Sequence, residues 1–63
     1  MTVLLGIDLG ERRIGLATGD TTTGAVKPLL TLNRGSASHD AEAISRICSE
    51  RRAEAVVVGL PLN

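Results

Sequence analysis

The sequence contains no phenylalanine, tyrosine or tryptophan. Any core it builds is therefore aliphatic, and the aromatic platform on which single-stranded nucleic acid usually stacks is missing. There is one cysteine, Cys48, so no disulfide can form within the chain. No Cys/His cluster has the spacing of a zinc site either. Neither sign of charge is in excess: seven basic and seven acidic residues cancel. No global field then advertises nucleic acid or an anionic membrane. No apolar run approaches the ~20 residues of a membrane span, and the N-terminus lacks the basic region and long apolar stretch of an export signal. With one free thiol and no such signal, a cytosolic location is expected.

Length adds a further constraint. A chain of 63 residues buries only about 60% of the surface its unfolded form exposes. Domains this small usually carry a staple, and none is visible. The run Ala55-Val56-Val57-Val58-Gly59-Leu60 is wholly apolar, as in strands covered on both faces of a parallel sheet. Little else in the chain could cover them. The expectation is that residues 1–63 form the N-terminal part of a single domain, completed by further chain or by a partner.

What is present centres on Leu4-Leu5-Gly6-Ile7-Asp8-Leu9-Gly10-Glu11-Arg12-Arg13-Ile14-Gly15-Leu16-Ala17. A carboxylate, Asp8, sits in an apolar run that otherwise reads as a buried strand. Burying it costs several kcal/mol unless a metal, a cation or hydrogen bonds compensate. The pattern predicts a first strand over Val3–Leu9, a tight turn at Gly10-Glu11-Arg12, and a second strand over Arg13–Gly19. So short a connection makes the two strands antiparallel neighbours. A loop over Asp20–Gly24 follows, then a third strand over Ala25–Leu32. Pro28 inside it cannot donate to a ladder, which sends this strand to an edge or a bulge.

Ser38 is the expected helix N-cap. Ala41, Ile44, Ile47 and Cys48 make one apolar stripe at helical spacing. Asp40 and Glu42 near the start and Arg51 and Arg52 at the end complement the helix dipole, and Glu42 with Arg46 is a favourable i,i+4 pair. A fourth strand over Glu54–Leu60 is closed by Pro61. The helix gives the length for a crossover that lays this strand parallel to the first. The fold class is α/β: three antiparallel strands, one helix and one parallel strand.

Asp8 then lies near the centre of the sheet at a carboxyl strand end, where ligands of α/β sheets bind. An oxygen ligand there suits Mg²⁺ or Mn²⁺, ions that activate water and stabilise the leaving oxygen in phosphodiester hydrolysis. The plainer alternative is an Asp that ends a strand and caps the turn at Gly10. Gly10 permits close approach of a backbone or a phosphate. Arg12 and Arg13 suit bidentate pairing with phosphate, although alternation sends them in opposite directions. Asp20 reads as a turn-former, His39 as a structural imidazole near the helix start, Cys48 as core, and Arg51 and Arg52 as a solvated helix end.

Together, Gly6-Ile7-Asp8-Leu9-Gly10, Arg13-Ile14-Gly15-Leu16-Ala17, Gly24 with Pro28-Leu29, and Val57-Val58-Gly59-Leu60-Pro61-Leu62-Asn63 resemble the YqgF family, also called RuvX. This family comprises RuvC-like proteins of the ribonuclease H superfamily. The resemblance spans the whole chain and about the first half of a typical member. It implies a mixed five-stranded sheet flanked by helices, here in part. It implies a metal-dependent nuclease with Asp8 as first catalytic carboxylate and ligand of Mg²⁺ or Mn²⁺. The substrate it implies is the precursor of 16S ribosomal RNA, matured at its 5′ end, or a branched DNA (Holliday) junction. The family's other acidic residues, including an Asp-Glu-Arg motif, belong to segments after Asn63, so the 63 residues alone are expected to be inactive.

Two rivals carry other functions. ATPases of the actin, Hsp70 and sugar-kinase group open with a similar strand, but there Thr or Ser commonly follows the Asp beside the phosphates. Here Glu11 would repel a polyphosphate. A non-catalytic dimerisation or RNA-binding module is the second; missing aromatics and the lack of a basic stripe weaken RNA binding and leave a homodimer open.

Overall fold

A computed structural model describes residues 2–59 of the chain. The order is β1 (Val3–Leu9), β2 (Arg13–Asp20), β3 (Val26–Asn33), α1 (Ala37–Arg51) and β4 (Ala55–Val58). The strands form one sheet in the order β3-β2-β1-β4. Pairs β1–β2 and β2–β3 are antiparallel, and β4 lies parallel to β1. This is the α/β arrangement the sequence predicts. The end of the expected fourth strand at Leu60 and its stop at Pro61 lie outside the described residues.

Period-two alternation sorts the hairpin. Leu5 and Ile7 of β1 and Ile14 and Leu16 of β2 point to one face and are nearly inaccessible to water, with Leu5 at 0%. Leu29, Leu32, Ile44, Ile47, Cys48 and Ala53 pack against them, so α1 and the end of β3 roof this face. Each large aliphatic buried this way contributes roughly 1.5–3 kcal/mol. By register, Leu4, Gly6, Asp8, Gly15, Ala17 and Val57 share the opposite face.

Pro28 behaves as its chemistry requires. β3 is an edge strand, and its pairing with β2 slips where Leu16 faces Leu30 but Ala17 faces Pro28. Leu29 is the extra residue of this bulge. It turns inward onto the core while Leu30 is left 40% exposed. The other edge is β4, whose Val56, Val57 and Val58 are 45%, 37% and 60% exposed. The valine run is thus an uncovered edge among the described residues rather than the middle of a covered sheet.

The helix begins earlier than Ser38. Ser36, extended at φ −69° and ψ 155°, is the N-cap, and its Oγ accepts from the His39 N–H at 3.2 Å. The Asp40 carboxylate reaches back to accept from the Gly35 N–H at 3.0 and 3.3 Å, a relative of the capping box displaced by one residue. This contact buries Asp40 to 8% exposure and rotates the inward stripe to Asp40, Ile44, Ile47 and Cys48. Ala41, expected in that stripe, is exposed. Arg52 ends the helix in the left-handed region at φ 53°, and the Ala53 N–H closes the cap on the Cys48 carbonyl at 2.9 Å. The expected Glu42–Arg46 pair does not form; among the described residues the ion contact is His39 Nδ1 to Asp40 Oδ1 at 3.6 Å.

Candidate functional site

Asp8 is the penultimate residue of β1, which lies between β2 and β4 in the sheet. Its register partner on β2 is Gly15. On the other side Gly59, at φ +88°, follows β4 and donates its N–H to the Ile7 carbonyl at 2.8 Å. Two residues without side chains therefore border the carboxylate, which stands at the carboxyl end of β1, one of the two inner strands of the sheet.

The apolar run around Asp8 suggests a buried charge needing compensation, and the structure corrects this. Alternation turns Asp8 away from Leu5 and Ile7, onto the face that α1 does not roof, where it is only half-buried. Water reaches it, so no compensating partner is required. Among the described residues the carboxylate takes part in no hydrogen bond or ion pair. It opens onto a groove of about 230 Å³ between Asp8 and Gly15 on one side and Pro28, Leu30 and Thr31 on the other.

The turn after Asp8 is tightly built. Gly10 donates its N–H to the Arg13 carbonyl at 2.9 Å, and a Cβ on Gly10 would stand 2.8 Å from that same oxygen. Close approach of two backbones, rather than a left-handed φ, is what glycine provides here. Arg12 and Arg13 are exposed on this turn. Arg13 is two residues from Gly15 along β2, so alternation puts its Cβ on the Asp8 face and that of Arg12 elsewhere.

Arg34 is the residue that sequence reasoning passes over as mere connector. Its Nη1 donates to the Gly10 carbonyl at 2.8 Å, and its backbone N–H donates to the Arg12 carbonyl at 2.9 Å. No local pattern marks it, because its partners lie more than twenty residues earlier in the chain. Asp40 lies in the first helical turn as its charge predicts, but the spacing does not reveal its bond back to the Gly35 N–H. Asp20 makes the expected turn, accepting the Thr22 N–H at 2.8 Å. Cys48 packs in the core, and His39 keeps 74% of its side chain exposed.

Among the described residues no three His, Cys, Asp or Glu side chains converge in a way that could hold a metal ion. Among the described residues, Asp8 is the acidic side chain that β1 places on this face, and Glu11 follows in the turn. An unpaired, water-accessible carboxylate with glycines on both sides does suit Mg²⁺, which retains several waters and takes few protein ligands. The fit is that of one ligand within a larger set.

The family model described as "RuvX: Holliday junction resolvase" matches residues 2–63. The chain is 40% identical over 62 residues to a protein of Phenylobacterium zucineum, covering 98% of this chain and 40% of the relative. It is 42% identical over 60 residues to one of Rhodospirillum centenum, covering 95% and 32%. With one of Pseudomonas savastanoi pv. phaseolicola it shares 40% over 63 residues, covering 100% and 43%. Each of these relatives carries the name "Putative pre-16S rRNA nuclease". The chain spans between 32% and 43% of their length. Because the family model matches every residue of the chain but the first, the chain belongs to the RuvX family.

Proposed function

We propose that this chain supplies the first metal-ligating carboxylate, Asp8, of a divalent-metal-dependent nuclease that trims precursor 16S ribosomal RNA at its 5′ end. The observation that carries this reading is the Asp8 carboxylate at the carboxyl end of the inner strand β1, bordered by Gly15 and Gly59 and without a hydrogen-bond partner among the described residues. Such a carboxylate costs little to keep because it is hydrated. Among the described residues nothing competes with a cation for its lone pairs.

Each residue has a stated part. Asp8 would hold Mg²⁺ or Mn²⁺ through a carboxylate oxygen, and such an ion activates water and stabilises the leaving oxygen of a phosphodiester. Gly10 keeps the following turn flat against its neighbour, leaving room for a sugar-phosphate backbone. Arg13 on the Asp8 face and Arg12 at the tip of the turn offset phosphate charge. Glu11 in the same turn disfavours a nucleoside triphosphate placed against it. Family membership and the names of the relatives support a nuclease over the ATPase reading. The remaining acidic ligands would come from the part of the relatives' length that this chain does not span, and the site of action proposed with this substrate is cytosolic.

The test is cleavage. The protein carrying this segment, native and Asp8→Asn, is offered precursor 16S RNA and a four-way DNA junction with Mg²⁺ or Mn²⁺. Metal-dependent cutting of the RNA that Asp8→Asn abolishes supports the proposal. Preferential cutting of the junction moves the substrate to branched DNA, and cutting that survives Asp8→Asn removes Asp8 from the site.

A further inference from the structure

We propose that Arg34 is a substrate-binding residue of this site, its guanidinium held in place by the Gly10 carbonyl so that its remaining donors take a phosphate of the RNA strand; this rests on the nuclease reading above. Arg34 lies between the end of β3 at Asn33 and the N-cap at Ser36. Three hydrogen bonds fix that short segment. The Arg34 N–H is held by the Arg12 carbonyl at 2.9 Å, the Arg34 Nη1 by the Gly10 carbonyl at 2.8 Å, and the next N–H, of Gly35, by the buried Asp40 carboxylate. Backbone and side chain are thus both anchored to the turn that follows Asp8.

The anchoring has a chemical consequence. A guanidinium carries several N–H donors in a rigid fork, and the Gly10 carbonyl occupies one nitrogen of Arg34. The residue is exposed, and no carboxylate pairs with it among the described residues. Donors therefore remain for a phosphate, and the side-chain entropy that binding usually costs is already partly spent. Gly10 stands two residues beyond Asp8, ~7 Å at the rise of a strand, so the cation sits within reach of a chain threading past the carboxylate. Arg12 and Arg13 flank the same turn. The chain's neutral total charge hides this local concentration: three arginines gather at one end of the sheet, with Glu11 as the opposing charge in the turn.

The experiment measures binding of a 5′-extended precursor 16S RNA fragment to the protein carrying this segment, with Asp8→Asn as background so that nothing is cut. Native Arg34, Arg34→Ala and Arg34→Lys are compared across salt concentrations, alongside their thermal unfolding. Losing one phosphate contact flattens the slope of log affinity against log salt by about 0.7 for a single strand. Losing a charge-assisted hydrogen bond weakens binding about tenfold or more. Arg34→Ala is expected to do both, and Arg34→Lys to keep the slope while regaining part of the affinity. An unchanged slope in Arg34→Ala, whatever its melting temperature, overturns the proposal and leaves the nuclease reading standing. Failure of the native protein to bind the fragment overturns both. Tighter binding of a four-way DNA junction than of the RNA overturns the substrate named here.

Discussion

Alanine at position 10 probes the turn on which the candidate site depends. The Cβ it adds would stand 2.8 Å from the Arg13 carbonyl oxygen, closer than Cβ atoms come in real structures. The obstacle is backbone, so no side chain can swing aside. That oxygen is also the acceptor of the Gly10 N–H, and opening the turn breaks this bond and slackens the Arg34 bond to the Gly10 carbonyl. The lost bond costs about 1 kcal/mol, and forcing a methyl into a filled space costs about 1–3 kcal/mol. Restricting the unfolded chain returns about 0.4–1 kcal/mol. The net is a loss of about 2 kcal/mol, a fall in melting temperature of roughly 8–16 °C for a domain this small. Gly35→Ala is the control: its Cβ would meet the His39 Nδ1 at 3.3 Å, the tip of an exposed ring that can move, and the change stays within about 0.5 kcal/mol. Thermal unfolding by circular dichroism reads both. Equal melting temperatures for the two variants would refute the reasoning.

Two further substitutions test the helix ends. Ser36→Ala removes the hydroxyl that accepts the His39 N–H and lowers stability by about 1 kcal/mol, whereas Ser38→Ala stays within about 0.5 kcal/mol; denaturant unfolding of the pair separates the observed cap from the one expected on sequence. Arg52→Gly relieves a side chain held at φ 53° and raises stability by about 1 kcal/mol, seen as a higher melting temperature; a fall instead would mean that the Arg52 side chain, not the left-handed backbone, secures the helix end.

The first strand was legible to the residue, because Val3–Leu9 has turn-formers on its far side and β-favouring aliphatics within. The edge role of Pro28 was legible too, since a missing N–H has few places to go in a sheet. β2 and β3 each run one residue further than expected, to Asp20 and Asn33, because hydrogen bonding across the hairpin continues past the last apolar side chain. β4 begins one residue later than expected, at Ala55, although the Glu54 N–H already donates to the Val3 carbonyl of β1 at 2.8 Å. The helix start differs from the sequence expectation for a tertiary reason. Asp40 turns inward to hold the Gly35 N–H, which moves the cap to Ser36 and takes Ala41 out of the core-facing stripe. A hydrophobic pattern sees an acidic residue and assigns it to solvent.

The site divides along the same line. The position and neighbours of Asp8 follow from alternation and strand order, and its place at the carboxyl end of an inner strand is readable in the sequence. Its burial is not, because an apolar run does not say which face a further element will roof. Arg34 was invisible for the opposite reason: its meaning comes wholly from Gly10 and Arg12, which the sheet brings back to it. Residues whose role is local can be read from spacing; those whose role is a long-range hydrogen bond cannot.

The central claim is that Asp8 binds a divalent cation, and calorimetric titration of Mn²⁺ into the native protein and Asp8→Asn addresses it without reference to any substrate. The two proteins should melt at the same temperature, since the Asp8 side chain has no partner to lose among the described residues. Binding that is present in the native protein and lost in Asp8→Asn is the predicted result. Equal Mn²⁺ affinity in both would contradict the account and leave Asp8 as a residue that merely closes a strand.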